Sequence, residues 1–139
     1  MKVLLDTNII MDALQERAPF DKAAKEILRR AQDDAGLSAM FTANAAADIF
    51  YLYSKARNAE SAKVVLSFLI KRFGAVSVTE DDCVAALALP IADFEDALAV
   101  VCAKKADADY LITRDDEFLQ AVSSVPLIDP VDFLTLLSK

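Results

Sequence analysis

Short apolar runs alternate along this chain with longer segments in which apolar residues recur at helical spacing, and that alternation predicts its elements. Residues 2–5 (KVLL) suit a strand, and Asp6-Thr7-Asn8 behind them read as a cap and a helix start. Ala23, Ala24, Ile27, Leu28 and Ala31 fall on one stripe of a helix from Asp21 to Gln32, which Pro19 precedes and Gly36 stops. Residues 37–41 (LSAMF) make a second strand. Thr42 then caps a helix in which Ala46, Ile49, Phe50, Tyr53 and Ala56 share a face, with Asp48 off its centre. Helical spacing returns at Ala62, Val65, Leu66, Leu69 and Ile70, Gly74 ends it, and residues 75–78 (AVSV) form a third strand.

Thr79 with Asp82 starts a helix through Leu89, Pro90 breaks it, and Asp93 opens the helix DFEDALAVVCAKKA. Tyr110 to Thr113 is a fourth strand and Glu117 to Val122 a short helix. Pro126 to Ile128 is an edge-like fifth strand, and Asp129-Pro130 begin the terminal helix. Phe50, Phe94 and Phe118 are expected in the core. Strands separated by helices pair in parallel, because parallel neighbours need a crossover long enough to hold a helix. The expected fold is therefore α/β: a three-layer α/β/α sandwich around a central, mostly parallel sheet of four to five strands. No linker, repeat or low-complexity segment interrupts residues 1–139, which are expected to form a single domain.

Composition narrows the chemistry. The 139 residues include no histidine and only Gly36 and Gly74 as glycines, which excludes histidine bases, Ser-His-Asp triads, zinc-histidine sites and glycine-rich phosphate loops. Cys83 and Cys102 lie in apolar helical patterns and read as reduced core thiols. No apolar run reaches the ~18 to 20 residues that cross a bilayer, and the N-terminus lacks a signal-peptide core; a cytoplasmic protein with no membrane partner is expected. The net charge of −7 opposes a broad basic nucleic-acid surface. Any phosphate contact would fall to scattered cations, Arg17, Arg29, Arg30, Lys55 and Arg114 among them.

The acids change the picture most. In open parallel sheets the functional crevice lies beyond the carboxyl ends of the strands, where strand order reverses. Asp6 and Asp115 each follow a strand, Asp93 and Asp96 share the start of a helix three residues apart, and Asp48 lies in the helix that Thr42 caps. Two carboxylates about 4 Å apart cost roughly 4 kcal/mol at an effective dielectric near 20, a cost that a divalent cation removes. Each acid also has a plain structural role open to it: Asp6, Asp93 and Asp115 as caps, Asp96 as a first-turn acid favourable to the helix dipole, Asp48 as a solvated helix residue. Thr7 and Asn8 can hydrogen-bond the cluster or a phosphate, or simply shape the turn.

In this order, the segments VLLDTNIIMDAL, AAADIFYL, DFEDALAVVCA and ADYLITRDDEF resemble the PIN-domain family, small metal-dependent nucleases best known as VapC-like ribonuclease toxins. The DFEDA helix with LITRDDEF is similar to one branch of that family. The resemblance implies an acidic quartet of Asp6, Asp48, Asp96 and Asp115, with Asp6, Asp96 and Asp115 on the metal and Asp93 close by. Thr7, Asn8, Thr113 and Asp116 would support them. It further implies a Mg²⁺- or Mn²⁺-dependent endoribonuclease acting on RNA, with a cognate antitoxin and a homodimer as partners. Two other readings stay open. One is a non-catalytic module of the same fold that binds RNA or protein through a held cation, and the other is phosphoryl transfer on Asp6.

Overall fold

A computed structural model of residues 1–139 shows five strands in one sheet, ordered β3-β2-β1-β4-β5, with every neighbouring pair parallel. The strands are β1 (Lys2–Leu5), β2 (Ser38–Thr42), β3 (Ala75–Val76), β4 (Tyr110–Ile112) and β5 (Leu127–Ile128). Between β1 and β2 run α1 (Thr7–Leu14) and α2 (Asp21–Asp33); between β2 and β3, α3 (Ala43–Ala56) and α4 (Ala59–Arg72). α5 (Glu80–Leu87) and α6 (Phe94–Lys105) lead to β4, α7 (Asp116–Leu119) to β5, and α8 (Pro130–Leu137) ends the chain. The expected three-layer α/β/α architecture is present, and its sheet is wholly parallel.

The side-chain alternation of β1 divides the core. Val3 and Leu5 enter one cluster with Ile9, Ile10, Ile27, Phe41, Ile49 and Phe133, whereas Leu4 enters another with Val100, Leu111 and Phe118. Because both sheet faces are covered by helices, KVLL needs no polar residue after Lys2, and Val3, Leu4 and Leu5 are all buried. A third cluster joins α5 to α6 through Ala86, Ala97, Leu98 and Cys102. No helix is long and apolar enough to cross a membrane. Both cysteines are unpaired, and burial pushes the Cys102 thiol up to about 11.

Several expectations need correction. The third strand stops at Val76, because Ser77 and Val78 lead instead into the Thr79 cap, where Thr79 and Asp82 satisfy each other's amides in a capping box. The helix after Asp115 covers only residues 116–119. Phe118 is buried, but Phe94, the first residue of α6, stands 42% exposed at the helix end, one turn before the buried positions that begin at Ala97 and Leu98. Ala56 and Ile70, at the ends of their stripes, are exposed as well.

Candidate functional site

The sheet grows from β1 through β2 to β3 on one side, and the chain then crosses to place β4 against the opposite edge of β1. The reversal point therefore lies between β1 and β4, and their carboxyl ends deliver Asp6 and Asp115. Asp6 caps α1: its Oδ1 accepts the Thr7 amide at 2.9 Å, and its own amide donates to the Ile112 carbonyl at 3.0 Å. Thr113 is fully buried. Its hydroxyl donates to Asp6 Oδ2 at 2.8 Å and accepts the Asp115 amide at 3.2 Å.

The other acids arrive on helix starts and one helix flank. Asp115 Oδ1 caps α7 by accepting the amides of Glu117 at 3.0 Å and Phe118 at 3.4 Å. Asp93 Oδ1 caps α6 by accepting the Asp96 amide at 3.0 Å. Capping thus uses one oxygen of each and leaves the second for another contact. Asp6, Thr7, Asn8, Asp48, Asp93, Asp96 and Asp115 line one open hollow of about 320 Å³, together with Glu95, Tyr51 and Leu52. Asp48 enters it because α3 turns its half-buried flank toward the strand ends. No lysine or arginine lines the hollow. Asp116 is not brought there; it borders a separate recess beside Pro19, Phe20 and Arg114.

The electrostatics follow from that crowding. Burial first, then the charges of Asp93, Asp6, Asp115 and Glu95, push the Asp96 carboxyl up to about 7. Asp6 is raised chiefly by burial and further by Asp115, against hydrogen bonds from Thr113 and Thr7 and the nearby Arg114. Glu95 is raised by burial and by Asp48, Asp93 and Asp6. Burial, and after it the neighbouring anions, disfavour the charged forms of Asp6, Glu95 and Asp96, and a bound cation would oppose both effects. The donors are hard oxygens, right in kind for Mg²⁺ or Mn²⁺. No three carboxylates, however, stand in an arrangement that could hold an ion among them. Asp6, Asp96 and Asp115 ring the hollow without closing on one point, so coordination by all three requires their side chains to turn inward.

One element of the site was not foreseen. Asp12 is fully buried on α1, where Arg114 donates Nε to its Oδ2 at 2.5 Å and Nη2 to its Oδ1 at 3.1 Å; Arg17 stands 3.7 Å away. The Arg114 guanidinium also lies 4.0 Å from the Phe20 ring centroid. Arg114 sits between Thr113 and Asp115, so this ion pair ties the loop after β4 to the helix after β1. The available signal was an acid directly behind the apolar run Ile9-Ile10-Met11, a position that demands a cationic partner. Arg114 is therefore not a free phosphate contact. Neither are Arg29 and Arg30, which pair with Glu26 at 2.6 and 3.0 Å.

A family model described as PIN domain matches residues 2–117, a span that contains every acid of the hollow. The chain belongs to the PIN domain family. Among solved structures, this PIN domain is similar to the VapBC2 complex of Rickettsia felis bound to a DNA fragment from its promoter, at 18% identity and TM-score 0.70 over 93% of this chain and 98% of that one. It is likewise similar to VapBC-1 of nontypeable Haemophilus influenzae, at 21% identity and TM-score 0.68 over 94% and 99%. VapC20 of Mycobacterium tuberculosis, described as a Sarcin-Ricin loop cleaving toxin, matches at 16% identity and TM-score 0.65 over 89% and 99%. At these identities the likeness concerns the fold. No curated protein matches the chain.

Proposed function

We propose that this PIN domain is a Mg²⁺- or Mn²⁺-dependent endoribonuclease and the toxin of a toxin–antitoxin pair. The observation that carries the reading is a hollow at the sheet's reversal point ringed by Asp6, Asp48, Asp93, Glu95, Asp96 and Asp115 with no cation among its lining residues. The VapC toxin and the VapBC complexes of the same fold support it.

A bound divalent ion would polarise the scissile phosphate and lower the pKa of an attacking water. Asp6, Asp96 and Asp115 are the residues assigned to hold it, with Asp48 and Asp93 orienting its waters. Thr113 fixes Asp6 and Asp115 relative to each other, and Thr7 and Asn8 lie where a phosphate or its water can be hydrogen-bonded. The absence of histidine is no obstacle, since a bound ion would supply the activation of the water. RNA is the proposed substrate, a cognate antitoxin and a second copy of the chain the proposed partners, and the cytoplasm the proposed location. The test is cleavage of RNA with added Mn²⁺. Asp6→Asn and Asp96→Asn should each abolish it while leaving the circular dichroism spectrum intact; undiminished cleavage in both removes the proposal.

The open carboxylate ring favours one second reading, a non-catalytic module of the same fold that holds a cation weakly and binds RNA or protein. Saturable Mn²⁺ binding without turnover on diverse RNAs would select it. Phosphoryl transfer on Asp6 fits less well, because no lysine reaches the hollow and both Asp6 oxygens accept internal hydrogen bonds.

A further inference from the structure

Helix α3 carries Asp48, Tyr51, Leu52 and Lys55 at spacings of three, four and seven residues, so all four share one face of the helix. Asp48, Tyr51 and Leu52 line the acidic hollow. Tyr51 stands 61% exposed, more than Phe20, Phe68 or Phe94, although a tyrosine ring normally repays burial. The Lys55 ammonium lies 5.6 Å from the ring centroid, and Lys55 belongs to none of the ion pairs that occupy Arg17, Arg29, Arg30 and Arg114. From Asp48 to Lys55 the stripe runs about 10 Å along the helix axis, leading out of the hollow. Its order is acid, aromatic, cation.

We infer that this stripe is the substrate track of the site: Tyr51 stacks an unpaired base of single-stranded RNA, and Lys55 meets a phosphate of the same strand. Aromatic platforms beside cationic side chains are the common means of holding single strands, because every base offers a π-face and stacking tolerates sequence. The acidic protein needs such a device. At a net charge of −7 it repels a polyanion, and the acidic hollow adds no attraction of its own. Tyr51 would thus secure a strand whose backbone the surrounding carboxylates disfavour. A protein partner is the poorer fit, since the stripe borders carboxylates and the hollow it leads from has no apolar lining beyond Tyr51 and Leu52.

This inference rests on the reading of the hollow as the place where RNA is cut, and the test separates the two. Tyr51→Ala, Tyr51→Phe and Lys55→Ala are compared with wild type for Mn²⁺-dependent cleavage of a single-stranded oligoribonucleotide. Binding of the same strand is measured in the Asp6→Asn background by fluorescence anisotropy, with and without Tyr51→Ala. Tyr51 is exposed on a helix and alanine is the better helix former, so the fold should persist. Tyr51→Ala is expected to raise KM and weaken binding about 5- to 150-fold with kcat little changed, while Tyr51→Phe behaves as wild type. Lys55→Ala should weaken binding and flatten its salt dependence. If wild type cleaves and Tyr51→Ala alters neither KM nor binding, the track is wrong and the nuclease reading stands. If wild type never cleaves but Tyr51→Ala still weakens binding, the nuclease reading fails and the track stands. RNA that neither binds nor is cut overturns both.

Discussion

The Thr113 hydroxyl donates to Asp6 Oδ2 at 2.8 Å while accepting the Asp115 amide at 3.2 Å, so one buried side chain fixes the acids that end β1 and precede α7. The three residues follow the carboxyl ends of two strands paired in parallel, Leu5 opposite Ile112. Thr113→Val conserves shape but leaves the Asp115 amide unsatisfied and takes one hydrogen bond from Asp6. It should cost about 1 to 3 kcal/mol in urea unfolding and lower cleavage, whereas Thr113→Ser should retain both.

The Asp12–Arg114 pair predicts an asymmetric response. Arg114→Ala leaves a fully buried carboxylate with only Arg17 at 3.7 Å, and should destabilise by about 3 kcal/mol in denaturant titration. Replacing both partners by apolar residues of similar volume, Asp12→Leu with Arg114→Met, should recover most of that loss. If the double variant is as unstable as the single one, the cost does not come from an unpaired charge.

Asp96 sets a pH dependence whose sign is fixed. Its folded pKa is raised to about 7, against about 3.9 in an unfolded chain, so the native state binds more protons between those values. Stability should accordingly fall as pH rises from about 4 to about 7 in the presence of a chelator. Asp96→Asn should flatten this slope and raise Tm at pH 7. Mn²⁺ should raise wild-type Tm at pH 7 and much less at pH 5. A thermal melt insensitive to both pH and Mn²⁺ in wild type would contradict the crowding of charge described for the hollow.

Packing supplies a further check. Phe41 on β2 is fully buried in the larger core cluster with Ile27, Ile49 and Leu69. Phe41→Ala should cost about 3 to 5 kcal/mol in urea unfolding, and Phe41→Leu clearly less. Phe94→Ala, on the exposed first turn of α6, should cost under about 0.5 kcal/mol.

Local pattern carried the elements far. The KVLL run, the helical stripe through Ala24, Ile27 and Leu28, and the Thr42, Thr79, Asp93, Asp115 and Asp129 caps all appear where spacing and capping chemistry place them. Alternation of strand with helix dictated a parallel sheet, since no hairpin can join such strands. The family resemblance marked Asp6, Asp48, Asp93, Asp96 and Asp115, and all five line one hollow.

What depended on tertiary structure is whatever needs two distant segments at once. Thr113 bridges Asp6 and Asp115 because β4 crosses to the free edge of β1, a choice of strand order that no local pattern encodes. Asp12 finds Arg114 across 102 residues, and Asp116, although beside Asp115 in the chain, is turned into another recess by the helix it begins. The sequence by itself determined which residues are acidic, which are apolar and where helices start, because those follow from neighbours along the chain. The fold decided which acids face one another, because repulsion and ion pairing act through space.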